Sequence, residues 1–153
     1  MISRRKQHGR SSGNSGKAVR QIGAERRKRA AVVYVRTAAI NHRAAAAQRA
    51  LAALPRKLGW PKHRIKIIED IGHSGLSQYR PGYHKLTRLI DRGKVGCVVG
   101  RDLSRLGRDL SQLHEFCVKA RRAGVLILTP QGPLRVRPGA RRIDIRRPNR
   151  GNR

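Results

Sequence analysis

Four short apolar runs, separated by segments with helical spacing, constrain the fold of this chain more than any other feature. The runs are rich in Val and Ile, which favour strands, and they cover residues 30–36, 64–69, 95–100 and 125–129. Between them, apolar residues recur at the three- and four-residue spacing of a helix face, around residues 44–58, 81–92 and 110–123. This alternation predicts the α/β class, with a mainly parallel four- to five-stranded sheet flanked by helices.

The two ends of the chain differ sharply from this alternating middle. Residues 1–29 carry ten Lys and Arg against one Glu, and residues 135–153 carry eight Arg against one Asp. Such segments bury too little apolar surface to offset the entropy lost on ordering. We therefore expect a disordered basic arm over residues 1–29, one folded domain over 30–129, and a basic tail rich in Arg, Pro and Gly over 130–153.

The net charge of +29 indicates a polyanionic partner, most simply nucleic acid. Aromatic residues make up only 3% of the chain, which argues against recognition by stacking single-stranded bases. Cys97 and Cys117 fall in predicted buried elements without metal-ligand spacing, so we interpret them as small core residues and expect no metal or cofactor. No apolar run approaches the roughly 20 residues of a membrane span, so we expect a cytoplasmic, nucleoid-associated protein without a membrane partner.

Arginines and hydroxyl residues gather where the predicted strands end. The carboxyl ends of parallel strands meet at one edge of a sheet, which is where ligands of such folds bind. The polar residues expected at this edge are Arg36, Asp70, Ser74, Arg80, Asp102, Ser104, Arg105 and Arg108. Guanidiniums bind phosphate in a bidentate manner and can stabilise charge that develops on phosphorus, so the edge predicts a phosphodiester site. Two simpler interpretations stay open: Asp70 and Asp102 cap nearby loops, and Arg105 and Arg108 are solvated surface residues.

Four blocks of residues at this edge resemble, in order and spacing, the catalytic domain of the serine recombinases (resolvase/invertase family). The blocks are Tyr34-Val-Arg36, Asp70-x-Gly72-x-Ser74-Gly75, Arg80-Pro81-Gly82-Tyr83 with Leu86, and Ser104-Arg105-Leu106-Gly107-Arg108. The resemblance covers about residues 30–129. It implies site-specific cleavage and exchange of DNA strands without metal or nucleotide, through a serine that attacks the DNA backbone and an arginine cluster that holds the scissile phosphate.

Some positions of this chain match the functional residues of the family, and one does not. Arg36, Arg80, Arg105 and Arg108 match the arginine cluster, and Gln48 matches a helix glutamine if one residue is inserted before it. The family places its nucleophile two residues after the strand arginine, where this chain has Ala38. A methyl group cannot attack phosphorus, so the resemblance implies a DNA-binding protein of recombinase type that is catalytically impaired. The implied contacts to the DNA backbone are Arg36, Ser74, Arg80, Ser104, Arg105 and Arg108.

Two alternatives remain at this stage. An active recombinase could use Thr37, although neighbouring residues of a strand point to opposite faces, or a serine of the following loop such as Ser74 or Ser77. A general basic nucleic-acid-binding protein would need no catalytic edge at all. Beyond Thr129 the residues show no apolar periodicity, so we expect electrostatic DNA contact rather than a recognition helix. A homo-oligomer or a partner recombinase that supplies the missing parts stays open.

Overall fold

The computed structural model describes residues 23–73, 79–106 and 109–134, and within them the chain forms one five-stranded sheet. The strands are β1 (Ala30–Thr37), β2 (Ile65–Ile71), β3 (Val95–Val99), β4 (Leu126–Thr129) and β5 (Gly132–Leu134). They lie in the order β2-β1-β3-β4-β5, with β1 to β4 parallel and β5 antiparallel to β4. The predicted α/β class with a mainly parallel sheet is confirmed.

Helices connect the parallel strands. They are α1 (His42–Arg49), α2 (Ala53–Lys57), α3 (Pro81–Asp91) and α4 (Leu110–Arg122). The segment predicted as one helix over residues 44–58 is α1 and α2, joined by a 3₁₀ turn at Ala50–Ala52. Pro55 lies in the first turn of α2, where its missing N–H leaves no hydrogen bond unmade. None of the helices in the described part of the chain has the length and apolar character needed to cross a bilayer.

The sheet is buried on both faces. Val32 and Tyr34 of β1 face α3 and α4, whereas Val33 and Val35 face α1 and α2. The side chains of Cys97 and Cys117 are buried free thiols, as predicted for core residues. Burial raises the pKa of the Cys97 thiol to about 12 and that of the Cys117 thiol to about 11.

The folded region begins before Ala30. Residues 23–28 are helical and pack at the amino-terminal edge of the sheet, although the sequence placed them in a disordered arm. The Arg26 Nε donates to the Gly124 carbonyl at 2.9 Å and the Arg29 Nη1 to the Ala123 carbonyl at 2.9 Å. These carbonyls follow α4 and have no helical partner, so they favour cationic donors. Gly96 of β3 admits this segment, because a Cβ there would lie 2.0 Å from the Arg26 carbonyl oxygen.

The sheet also continues beyond Thr129. β5 places Pro133 opposite Leu128 on the outer strand of the sheet, a position that tolerates a residue without an N–H. The rest of the two predicted arms, residues 1–22 and 135–153, lies outside the described residues.

Candidate functional site

Arg36 occupies the carboxyl end of β1, and its side chain is only 1% exposed. The guanidinium donates to three backbone carbonyls of the described chain: Nε to Arg105 at 3.1 Å, Nη1 to His73 at 3.2 Å and Nη2 to Ser104 at 2.9 Å. His73 follows β2, whereas Ser104 and Arg105 follow β3. One side chain therefore ties together the segments that leave the three neighbouring strands.

Gln48 of α1 holds the backbone of the same arginine. Its Oε1 accepts from the Arg36 N–H at 3.0 Å, and its Nε2 donates to the Arg36 carbonyl at 3.0 Å. The start of α1 is fixed by Asn41, whose side chain accepts from the N–H of Ala44 at 2.9 Å. Because its backbone and side chain are both anchored, Arg36 is a rigid part of this edge.

Arg105 approaches Arg36 from a 3₁₀ turn, Leu103–Arg105, that follows β3. Its Nη1 donates to the Arg36 carbonyl at 3.2 Å, and its side chain is 23% exposed. Its Nε lies 3.7 Å from a carboxylate oxygen of Asp102, which is an ion pair but not a hydrogen bond. Among the described residues this Nε is a buried donor without a hydrogen-bond acceptor, a state that costs about 1–3 kcal/mol. The nearest anionic group that the described residues offer to this Nε is the Asp102 carboxylate.

Arg80 reaches the same turn from the start of α3 and is only 3% exposed. Its Nη1 donates to the Leu106 carbonyl at 3.2 Å, and its guanidinium carbon lies 4.1 Å from the centre of the Tyr83 ring. Arg36 and Arg80 thus both donate to the backbone of residues 104–106, the turn that carries Arg105. In the structure, Arg36 and Arg80 hold protein carbonyls and do not face solvent.

Asp70 anchors the start of α3. Its carboxylate accepts from the Tyr34 hydroxyl at 2.6 Å and from the N–H groups of Gly82 at 2.8 Å and Tyr83 at 2.9 Å. Burial and the hydrogen bond to Asp70 raise the pKa of Tyr34 well above its usual range. A Cβ at Gly82 would lie 2.9 Å from both Asp70 Oδ1 and the Glu69 carbonyl, so this position needs glycine. Asp70 therefore caps a helix, in line with the simpler interpretation of its role.

The hydroxyl groups at this edge are already bonded or lie outside the described residues. Ala38 is exposed directly after β1, whereas Thr37 is 4% exposed and its Oγ1 accepts from the Gly72 N–H at 3.4 Å. The Ser104 hydroxyl, which is exposed, bonds the Asp102 carboxylate. Ser74, Ser77 and Arg108 lie outside the described residues. Within the described ranges, no cluster of His, Cys, Asp or Glu could hold a metal ion.

Known proteins are similar to this chain in sequence and in fold. The family described as "Resolvase, N terminal domain" matches residues 31–148. The uncharacterized protein y4bA/y4pH of Sinorhizobium fredii is 32% identical over 119 residues, which are 73% of this chain and 17% of that protein. The chain thus corresponds to a small part of that relative's length.

Solved structures share the fold. The N-terminal catalytic domain of TP901-1 integrase has a TM-score of 0.56 and 18% identity, over 66% of this chain and 77% of that one. A serine recombinase from Sulfolobus solfataricus has a TM-score of 0.51 and 26% identity, over 66% of this chain and 67% of that one.

Proposed function

Because this chain belongs to the resolvase N-terminal domain family, we propose that its serine-recombinase-type catalytic domain binds the phosphate backbone of DNA without cleaving it. The observation that carries the proposal is the exposed methyl group of Ala38, which follows the anchored Arg36 by two residues. Transesterification needs a hydroxyl that attacks phosphorus, and alanine has none.

Charge and an unsatisfied donor support DNA backbone as the partner. The net charge of +29 favours a polyanion. At the candidate site, the Arg105 Nε lacks an acceptor, and the side chain of Arg101 in the same loop is exposed. The Arg105 side chain as a whole is 23% exposed, so its guanidinium, together with Arg101, offers positive charge to a phosphate at the surface of this edge. Arg108, Ser74 and Ser104 remain proposed contacts on the basis of the sequence.

Covalent trapping tests whether the nucleophile is missing. The full chain and its Ala38→Ser variant are incubated with a library of supercoiled plasmids that includes DNA flanking the gene. Protein–DNA adducts are then sought under denaturing conditions. Ala39→Ser is the matched control, because Ala39 is also exposed but lies one residue further on. We expect an adduct from Ala38→Ser and none from the unchanged protein or the control.

An adduct from the unchanged protein would contradict the proposal and direct the search to Thr37 and the loop serines. Since the Thr37 hydroxyl already accepts a hydrogen bond from Gly72 and is almost fully buried, its use would require the end of β1 to open. An adduct from both serine variants would show that the position of the hydroxyl is not selected by the site.

General nucleic-acid binding is the second candidate, and the engagement of Arg36 and Arg80 with protein carbonyls favours it. The double variant Arg105→Ala/Arg108→Ala distinguishes the two candidates when its affinity for duplex DNA is compared with that of Arg56→Ala/Arg121→Ala, which removes two exposed arginines elsewhere. Because Arg105 also bonds the Arg36 carbonyl, both double variants are first shown by urea denaturation to be folded under the binding conditions, and a clearly larger loss for the first pair then supports the candidate site. Equal losses favour general binding through the whole basic surface.

A further inference from the structure

A second basic surface lies at the edge of the sheet opposite to the candidate site. There, a groove of about 630 Å³ runs between the beginnings of β1 and β2 and the end of α3. We call it the basal groove and define it by its six basic residues: Lys28, Arg29, His63, Arg64, Lys66 and Lys94. Its remaining walls are Ala30, Leu89 and Gly93, so none of its lining residues is acidic.

The cations of the basal groove are fixed in place to different degrees. Arg29 and Arg64 are held on its rim, since Arg29 donates to the Ala123 carbonyl and Arg64 to the Arg27 carbonyl at 2.9 Å. Lys28 forms an exposed ion pair with Glu25 at 2.6 Å. Lys66 and Lys94 are exposed and form no ion pair within the described part of the chain. The cations of the groove outnumber the single counter-charge of Glu25, so they repel one another, and a bound polyanion would relieve that repulsion.

The sequence continues this positive charge beyond the described residues. Residues 1–22 contain six Lys and Arg and no Asp or Glu, and they join the helical segment at Gly23. That segment leads directly into Lys28 and Arg29 on the wall of the groove.

We propose that the basal groove binds the phosphate backbone of duplex DNA, as a second contact on the side of the domain opposite to Arg105. The inference rests on the proposed function in taking DNA as the polyanion. Its consequence is that one domain contacts DNA at both ends of its parallel strands. Such a domain can hold two DNA segments, or two parts of one bent segment, on opposite sides.

Lysine acylation of the full chain tests this proposal directly. The protein is labelled with an amine-reactive reagent, with and without a short duplex, and modification is measured by mass spectrometry. We expect DNA to protect Lys66 and Lys94 several-fold, and to leave Lys57 and Lys85, which are exposed outside the groove, unchanged. Because the described cations of the candidate site are arginines, the assay does not respond to binding there. Equal modification of Lys66 and Lys94 with and without the duplex would overturn the proposal, as would protection by duplex RNA but not by DNA.

Salt dependence gives a second, independent readout. The slope of log K against log salt is negative, and each phosphate contact that is lost reduces its magnitude by about 0.9, so Lys66→Gln/Lys94→Gln should reduce it by about 1.8. The matched control is Lys57→Gln/Lys85→Gln, which removes the same charge from exposed positions outside the groove. Equal slopes for the two double variants would overturn the proposal. If the proposed function fails instead, Arg105→Ala/Arg108→Ala will bind DNA as well as its own control does, whatever the lysine variants show.

Discussion

Arg36 and Arg105 each donate a hydrogen bond to the other's backbone carbonyl, at 3.1 Å from Arg36 Nε and 3.2 Å from Arg105 Nη1. This reciprocal pair joins the end of β1 to the turn after β3, two segments that lie far apart in the sequence. The carbonyl of Arg36 also accepts from Gln48, so both of its lone pairs are used. Two arginines that the sequence assigned to phosphate binding are therefore also part of the framework.

Replacing Arg36 with lysine should destabilise the fold strongly. A lysine carries its donors on one nitrogen and cannot reach three separate carbonyls as a planar guanidinium does. We expect Arg36→Lys to lower the free energy of unfolding by about 2–4 kcal/mol, because buried carbonyls lose their donors. Urea denaturation measures this, with Arg101→Lys on the exposed loop as the control, for which we expect less than about 0.5 kcal/mol. A loss of similar size in the two variants would show that the three hydrogen bonds contribute little.

Gln48→Glu should introduce a pH-dependent defect. A carboxylate cannot donate to the Arg36 carbonyl, so we expect a loss of about 2–3 kcal/mol at neutral pH. Burial beside a carbonyl raises the pKa of the new carboxyl in the folded state. The protonated acid can donate, so stability is retained at low pH and is lost as the pH rises through that raised pKa. Unfolding measured across the acidic range checks this, and Ala47→Glu, at an exposed position of α1, should lack this pH-dependent loss.

Gly96→Ala should release the helical segment formed by residues 23–28. The added Cβ would lie 2.0 Å from the Arg26 carbonyl oxygen, which is backbone and cannot turn away. We expect trypsin to cleave faster after Arg26 and Arg27 in this variant, because the segment no longer packs on the sheet. Gly100→Ala is the control, since its Cβ would meet its nearest atom at an ordinary 3.6 Å. Unchanged cleavage of Gly96→Ala would mean that the segment is not held at this position.

The buried thiol of Cys97 should make the protein lose stability in alkali. Burial raises its pKa from 9.0 to about 12 in the folded state, so the unfolded chain releases this proton first. The contribution of this thiol to the free energy of unfolding is complete below pH 9. It falls by about 1.4 kcal/mol for each pH unit above 9, until the pH reaches the pKa of the folded state. We expect Cys97→Ala to unfold with a shallower dependence on alkaline pH than the unchanged protein. The same slope in both would indicate that other groups account for the alkaline loss.

The parallel strands could be predicted from the sequence because each is marked by a run of β-branched residues within the strand itself. Runs of Val and Ile, separated by segments with helical spacing, indicated all four parallel strands. The resemblance to the resolvase family, which the family match confirms, rested on blocks of residues near the ends of these strands. β5 carried no such signal, because a three-residue strand that contains Pro133 depends on its pairing with β4. The helix over residues 23–28 was missed for a similar reason. Arg26 and Arg29 donate to the carbonyls of Gly124 and Ala123, which lie far away in the sequence, and in the sequence alone these arginines look like part of a charged arm.

The sequence indicated which arginines lie at the candidate site but not which groups their side chains bond. The strand ends indicated that Arg36, Arg80 and Arg105 would converge, and the structure brings them to the same turn. Nothing in the sequence distinguishes an arginine that faces solvent from one that donates to backbone carbonyls, because that choice depends on where distant carbonyls lie. The clamp formed by Gln48 was visible only as an uncertain match to a helix glutamine.

The hydrogen bonds that anchor the backbone and side chain of Arg36 do not depend on which residue occupies position 38. The hydrogen bonds described around Arg36 involve Gln48, His73, Ser104 and Arg105, and none of them uses the side chain of Ala38. Alanine and serine codons differ by a single base. Under the proposed function, in which residue 38 is the nucleophile position, one such base change would restore the hydroxyl without rebuilding these hydrogen bonds.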